Sequence, residues 1–171
     1  MTKPTEFDRL AAHRYFSVEC FNRAWDLMDK TQRTSDEDEE MLRLSLASTW
    51  HWTQRQDCSS TNLSVGYWQI ARIYTLLGQV ENARRYGKLC LKISQEEGTE
   101  PFALGYAYEA LARAEMIAGE PAQMATYLEQ ARGVCERITD EEDRQQLLQD
   151  LGTIKISPVT MGSSSPSIAI G

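Results

Sequence analysis

Histidine is nearly missing from this chain, with two among 171 residues, His13 and His51. They complete no ligand spacing such as HExxH, so the sequence supplies no ready metal or catalytic histidine motif. Cysteine is sparse too: Cys20, Cys58, Cys90 and Cys135 stand singly, without a CxxC pair. Zinc sites and dithiol redox motifs need close pairs, so buried small side chains in a reducing cytosol are expected rather than disulfides or a metal. Basic charge is in deficit, with Lys+Arg 18 against Asp+Glu 25, a net charge of −7 and a pI near 4.9. That balance argues against nucleic acid, which needs clustered cations, and against a basic helix lying on an anionic membrane. No apolar run approaches the roughly 18 residues of a membrane span. The start, MTKPTEFDRLAAHRYF, is charged and lacks the apolar core of a secretory leader, so a cytoplasmic location is expected. No Gly-rich phosphate loop, nucleophile elbow or dinucleotide fingerprint occurs, and no cofactor is expected.

What the sequence does contain is helical punctuation. One periodic stretch runs from about Glu6 to Asp29. Thr34-Ser35-Asp36-Glu37 then offers a capping hydroxyl with a carboxylate three residues on, predicting a second helix from about Asp36 to Gln56. The acid run Asp36–Glu40 complements that helix's N-terminus. A third helix is expected over about Leu63–Leu77, ending at Gly78, and a fourth over Glu81–Glu97, ending at Gly98. Pro101 opens a fifth, ending at Gly119, and Pro121 opens a sixth, ending near Ile138. Thr139 with Glu142 starts a seventh, DEEDRQQLLQDL, stopped at Gly152. Its stripe Leu147, Leu151, Ile154, with Leu148 beside it, reads as a cap, while Asp143, Arg144, Gln145 and Gln149 stay wet. Residues 1–152 are thus expected to form one all-α domain. The tail 153–171, rich in Ser, Gly and Pro, is expected to be disordered or loosely docked, with a short strand across Ile154 and Ile156 as an option.

Self-similarity adds the architecture. At a shift of 41 residues (119 − 78), Leu63, Tyr67, Ile70, Ala71, Arg72 and Gly78 meet Leu104, Tyr108, Leu111, Ala112, Arg113 and Gly119. Small alanines let a partner helix approach, large neighbours fill the groove beside them, and glycine permits the reversal. Tyr67-x2-Ile70-Ala71-x2-Tyr74 with Gly78 and Ala83 resembles the tetratricopeptide repeat, a helix-turn-helix unit that stacks into a right-handed solenoid. The second copy, Tyr108-x2-Leu111-Ala112 with Gly119, departs from the family pattern at Glu115 and Met124, and Gly87 departs in the first. A period of 41 against the usual 34 suggests longer helices. Phe21, Asn22 and Trp25 of the first hairpin align with Ile70, Ala71 and Tyr74.

The resemblance implies that the first helix of each hairpin lines a concave, peptide-binding face. On it would stand a row of arginines, Arg23, Arg72 and Arg113, preceded four residues earlier by Glu19, Trp68 and Glu109, with Phe16 and Tyr106 nearby. Arginine forks suit carboxylates and the aromatic rings suit apolar side chains, so a protein or peptide partner is expected. The blander reading is that Glu19–Arg23 and Glu109–Arg113 are i, i+4 salt bridges. Replacing both Arg72 and Arg113 is expected to abolish capture with helicity intact.

Elsewhere the blander readings lead. In STWHWTQRQDC, Trp50 and Trp52 point about 160° apart on a helix and are expected to be separate core anchors around His51. Arg84, Lys88 and Lys92 read as a solvated convex stripe. The leading function is therefore a non-catalytic interaction module. The alternatives are an enzyme or small-ligand receptor using Glu115, Arg113 or His51 inside the stack, and a homodimer joined through Phe7, Leu10, Phe16 and Phe21.

Overall fold

The computed structural model describes residues 7–155, and all regular structure among them is helical. Seven helices follow in order: α1 (Arg9–Met28), α2 (Ser35–Thr53), α3 (Ser60–Leu76), α4 (Val80–Ser94), α5 (Pro101–Ala118), α6 (Pro121–Cys135) and α7 (Glu141–Gly152). Short turns pair α1 with α2, α3 with α4 and α5 with α6, and the three hairpins stack in chain order, with α7 closing the end against α5 and α6.

The helix starts follow the local chemistry. At α2 the Thr34 hydroxyl accepts from the Glu37 amide while the Glu37 carboxylate accepts from the Thr34 amide, a complete capping box. Glu37 also takes Lys30, and the Lys30 partnership with the capping hydrogen bond holds its carboxyl below the usual range. Thr34→Ala is expected to cost about 1 kcal/mol in urea denaturation, the usual worth of an N-cap. Gly78 and Gly119 turn the chain with φ of 69° and 73°, the left-handed conformation expected at these helix ends. Gly152 differs from expectation: it lies inside α7, and Thr153 is the C-cap. Ile154 is buried beside Leu147 and Leu151, so the cap stripe forms and the tail's first residues dock without a strand. The rest of the tail, Ile156 included, lies outside the described residues.

Helix α5 is the centre of the molecule, packed by α3, α4, α6 and α7. Its small residues, among them Ala103, Ala107, Ala110 and Ala112, are fully covered and let all four neighbours approach. Gly87 is where α4 meets α5: a Cβ there would stand 2.9 Å from a Leu111 methyl. The repeat also extends further than the sequence reading found. Tyr67 packs on Tyr86 at a centroid distance of 6.3 Å, and Tyr108 packs on Tyr127, at the equivalent position of the next hairpin, at 6.4 Å.

Two expectations about packing are corrected. Arg84 is not a freely solvated cation, because its fork grips the buried Glu115 carboxylate at 3.0 and 2.6 Å. The carboxylate thereby acquires the arginine that a buried acid requires. Trp50 is not core but 55% exposed, lying edge-on to His13 of α1 at the surface.

Candidate functional site

A cleft of about 380 Å³ runs where α1, α3, α5 and α7 converge. Phe21 and Trp25 come from α1, Val65 and Trp68 from α3, Phe102 and Tyr106 from α5, and Gln146 and Asp150 from α7. Trp68 is the middle ring, edge-on to Trp25 and to Tyr106 with both centroids 5.5 Å away. Edge-to-face packing of this kind fixes the three rings relative to one another. The cleft continues in two directions. Towards the end of α2, a gap of about 190 Å³ between α1 and α3 is lined by Val18, Phe21, Trp52 and Val65. In the other direction lies a polar pit of about 150 Å³ with Asp29, Arg72, Glu109, Arg113 and Asp150.

The pit's charges are unequally employed. Glu109 is buried; one carboxylate oxygen accepts from the Trp68 indole at 2.8 Å and the other pairs with the buried Arg113. Arg113 also donates from one terminal nitrogen to the Asp150 carbonyl at 3.1 Å and the Thr153 hydroxyl at 2.8 Å. Asp150 accepts from the Tyr106 hydroxyl at 2.8 Å, and burial together with that bond pushes the phenol up. Arg72, half-buried one turn beyond Trp68, has neither a hydrogen bond nor an ion pair among the described residues. Burial, followed by the Arg113 charge, lowers its guanidinium from the ordinary value.

Of the eight residues the sequence singled out, the structure brings together Trp68, Arg72, Tyr106, Glu109 and Arg113. Phe16, Glu19 and Arg23 do not join them. Phe16 packs on His51, and Arg23 reaches across to Glu40 of α2 at 3.1 Å instead of pairing with Glu19. The cause is the register of α1. Asn22 is exposed, whereas Ala24 is fully buried, so Ala24 is the small residue equivalent to Ala71. That two-residue correction places Phe21 and Trp25 in the positions of Trp68 and Arg72, and both do line the cleft. Burial of the position, which only the structure shows, is what selects Ala24 over Asn22. Phe102, four residues before Tyr106 and on the same face, was legible; Asp150 was not, since no periodicity links it to α5.

Glu115, Arg113 and His51 have separate partners and form no common cluster. Glu115 meets Arg84, Arg113 meets Glu109, and His51 meets His13, with the two Nδ1 atoms 2.8 Å apart. Among the described residues there is no group of three or more His, Cys, Asp or Glu side chains placed to hold a metal ion, and no helix is long and apolar enough to cross a membrane. The four cysteines are free. Comparison with family models, curated proteins and solved structures found no match.

Proposed function

We propose that this chain is a tetratricopeptide-like interaction module whose α1–α3–α5 cleft takes an extended segment of a partner protein. The observation that supports this reading most is Arg72, a half-buried cation without a partner beside a wall of aromatic rings. An unpaired buried charge carries a desolvation cost, which an incoming carboxylate would relieve. The matching ligand carries a large apolar side chain for the Trp25–Trp68–Tyr106 wall and an acidic group within a few residues of it. Asp29 at the rim of the pit works against a second negative charge, which favours one acid over an acidic run.

The test differs from the one the sequence suggested. Arg113 belongs to a buried ion pair, so its replacement would perturb the fold and report nothing about capture. Arg72→Ala alone is the clean variant. Random peptides displayed on phage and selected on the full chain are expected to converge on an aromatic or aliphatic residue near one Asp or Glu. The selected peptide's affinity is expected to fall about tenfold to hundredfold on Arg72→Ala, the worth of a charge-assisted hydrogen bond. Stability should hold or rise slightly, since an uncompensated cation is removed. Equal binding by wild type and Arg72→Ala would count against the reading.

A further inference from the structure

The two histidines, far apart in sequence, meet between the first half of α1 and the last turn of α2. Their Nδ1 atoms are 2.8 Å apart, and both rings are half-buried. Trp50 lies edge-on to each, with centroids 5.3 Å from His13 and 4.9 Å from His51, and Phe16 covers His51 at 5.4 Å. At this separation one Nδ1 must carry a proton and the other must accept it. Two neutral rings can do so, and so can an imidazolium with an imidazole. Two imidazoliums cannot, because two N–H groups and two like charges would then face each other.

The charged groups around the pair offer no relief. On α1 the neighbours are Arg14 and, one turn before His13, Arg9. From the turn after α2, Arg55 donates to Asp57 at 2.9 and 2.7 Å and to the Ser17 hydroxyl at 2.8 Å, and Asp57 also lies in the field of Arg14. Among the described residues neither histidine has a carboxylate within salt-bridge reach. The same stretch is where α1 is fastened to α2, since the Ser48 hydroxyl donates to the Ser17 carbonyl at 2.7 Å. One turn further on, α1 presents Phe21 and Trp25 to the cleft.

We propose that His13 and His51 form a proton-operated latch that holds α1 against α2 near neutral pH and loosens the N-terminal half of α1 in mild acid. Burial, followed by the charge of His13, sets His51 below its usual 6.5. The released form takes up a proton on each ring at about 6.5 while the latched pair resists the second, so the latch is at full strength above that pH and weakens as pH falls through it. Each excess proton bound by the released form shifts the opening equilibrium about tenfold per pH unit.

With just two histidines in the chain, the imidazole signals of the full-length protein can be followed individually by NMR. The expected result is two titration steps more than about one pH unit apart, the signature of a coupled pair. Hydrogen exchange, corrected for its intrinsic pH dependence, is expected to show protection in Arg9–Cys20 falling below pH about 6.5, with α5 unaffected. In His51→Gln that pH dependence of α1 should vanish. Two independent titrations near 6.5 in the wild type would overturn the latch, as would identical α1 exchange in wild type and His51→Gln. Should His51→Gln fail to fold, the wild-type titration decides alone.

Discussion

Glu109→Ala is expected to lose about 3–5 kcal/mol in urea denaturation, the characteristic cost of removing one member of a buried ion pair. The carboxylate is 1% exposed and its Arg113 partner 7%, so solvent screens neither charge. Without Glu109, Arg113 keeps its Asp150 carbonyl and Thr153 hydroxyl but has no counter-charge, and the Trp68 indole loses its acceptor. Much of the loss is the penalty of stranding a charge. Combining Glu109→Leu with Arg113→Met should therefore recover most of it, as apolar replacement of a whole buried pair does elsewhere. A loss below about 1 kcal/mol for Glu109→Ala would mean that water reaches the pair, contrary to its burial.

Leu147→Ala is expected to cost about 3 kcal/mol, within the range for a fully buried leucine. Leu147 is 0% exposed, and one of its methyls fills the place where a side chain at position 105 would begin: a Cβ on Gly105 would lie 2.4 Å from it. Its partners Leu151 and Ile154 are also buried, so this one side chain keys α7 to α5. The same variant should weaken cleft ligands, because α7 supplies Asp150, which orients Tyr106 and accepts from Arg113. Chemical denaturation checks the first effect and titration with a selected peptide the second. A stable protein with undiminished peptide affinity would show that α7 is an ornament to the cleft and not its wall.

The contrast between these buried contacts and the sequence that encodes them shows where legibility ends. Helix number and most boundaries could be read because they depend on local signals: the Thr34 capping box, the prolines at 101 and 121, and the left-handed glycines. The α3 and α5 parts of the cleft were legible because equivalent residues recur at a fixed shift. The α1 part was not, since alignment by the large residues favoured Asn22 whereas burial selects Ala24. Pairings between elements were out of reach for the same reason. Nothing local places Arg84 on Glu115 or His13 on His51; each depends on the rotation of one helix about its neighbour. Arg72 and Arg113 show the limit most clearly. They occupy equivalent repeat positions, but Trp68 stands where Glu109 does, so one arginine receives a carboxylate from its own helix and the other is left without one.

The central claim is that a partner segment enters the cleft between α1, α3 and α5, and the four tryptophans provide the most direct test. Trp25 and Trp68 line the cleft, Trp52 borders its extension, and Trp50 lies outside it beside the histidines. In a ¹⁵N-labelled protein titrated with a selected peptide, the indole signals of Trp25 and Trp68 should move together and saturate, while that of Trp50 stays fixed. Movement of Trp50 with Trp25 and Trp68 unchanged would place the binding surface elsewhere and contradict the account.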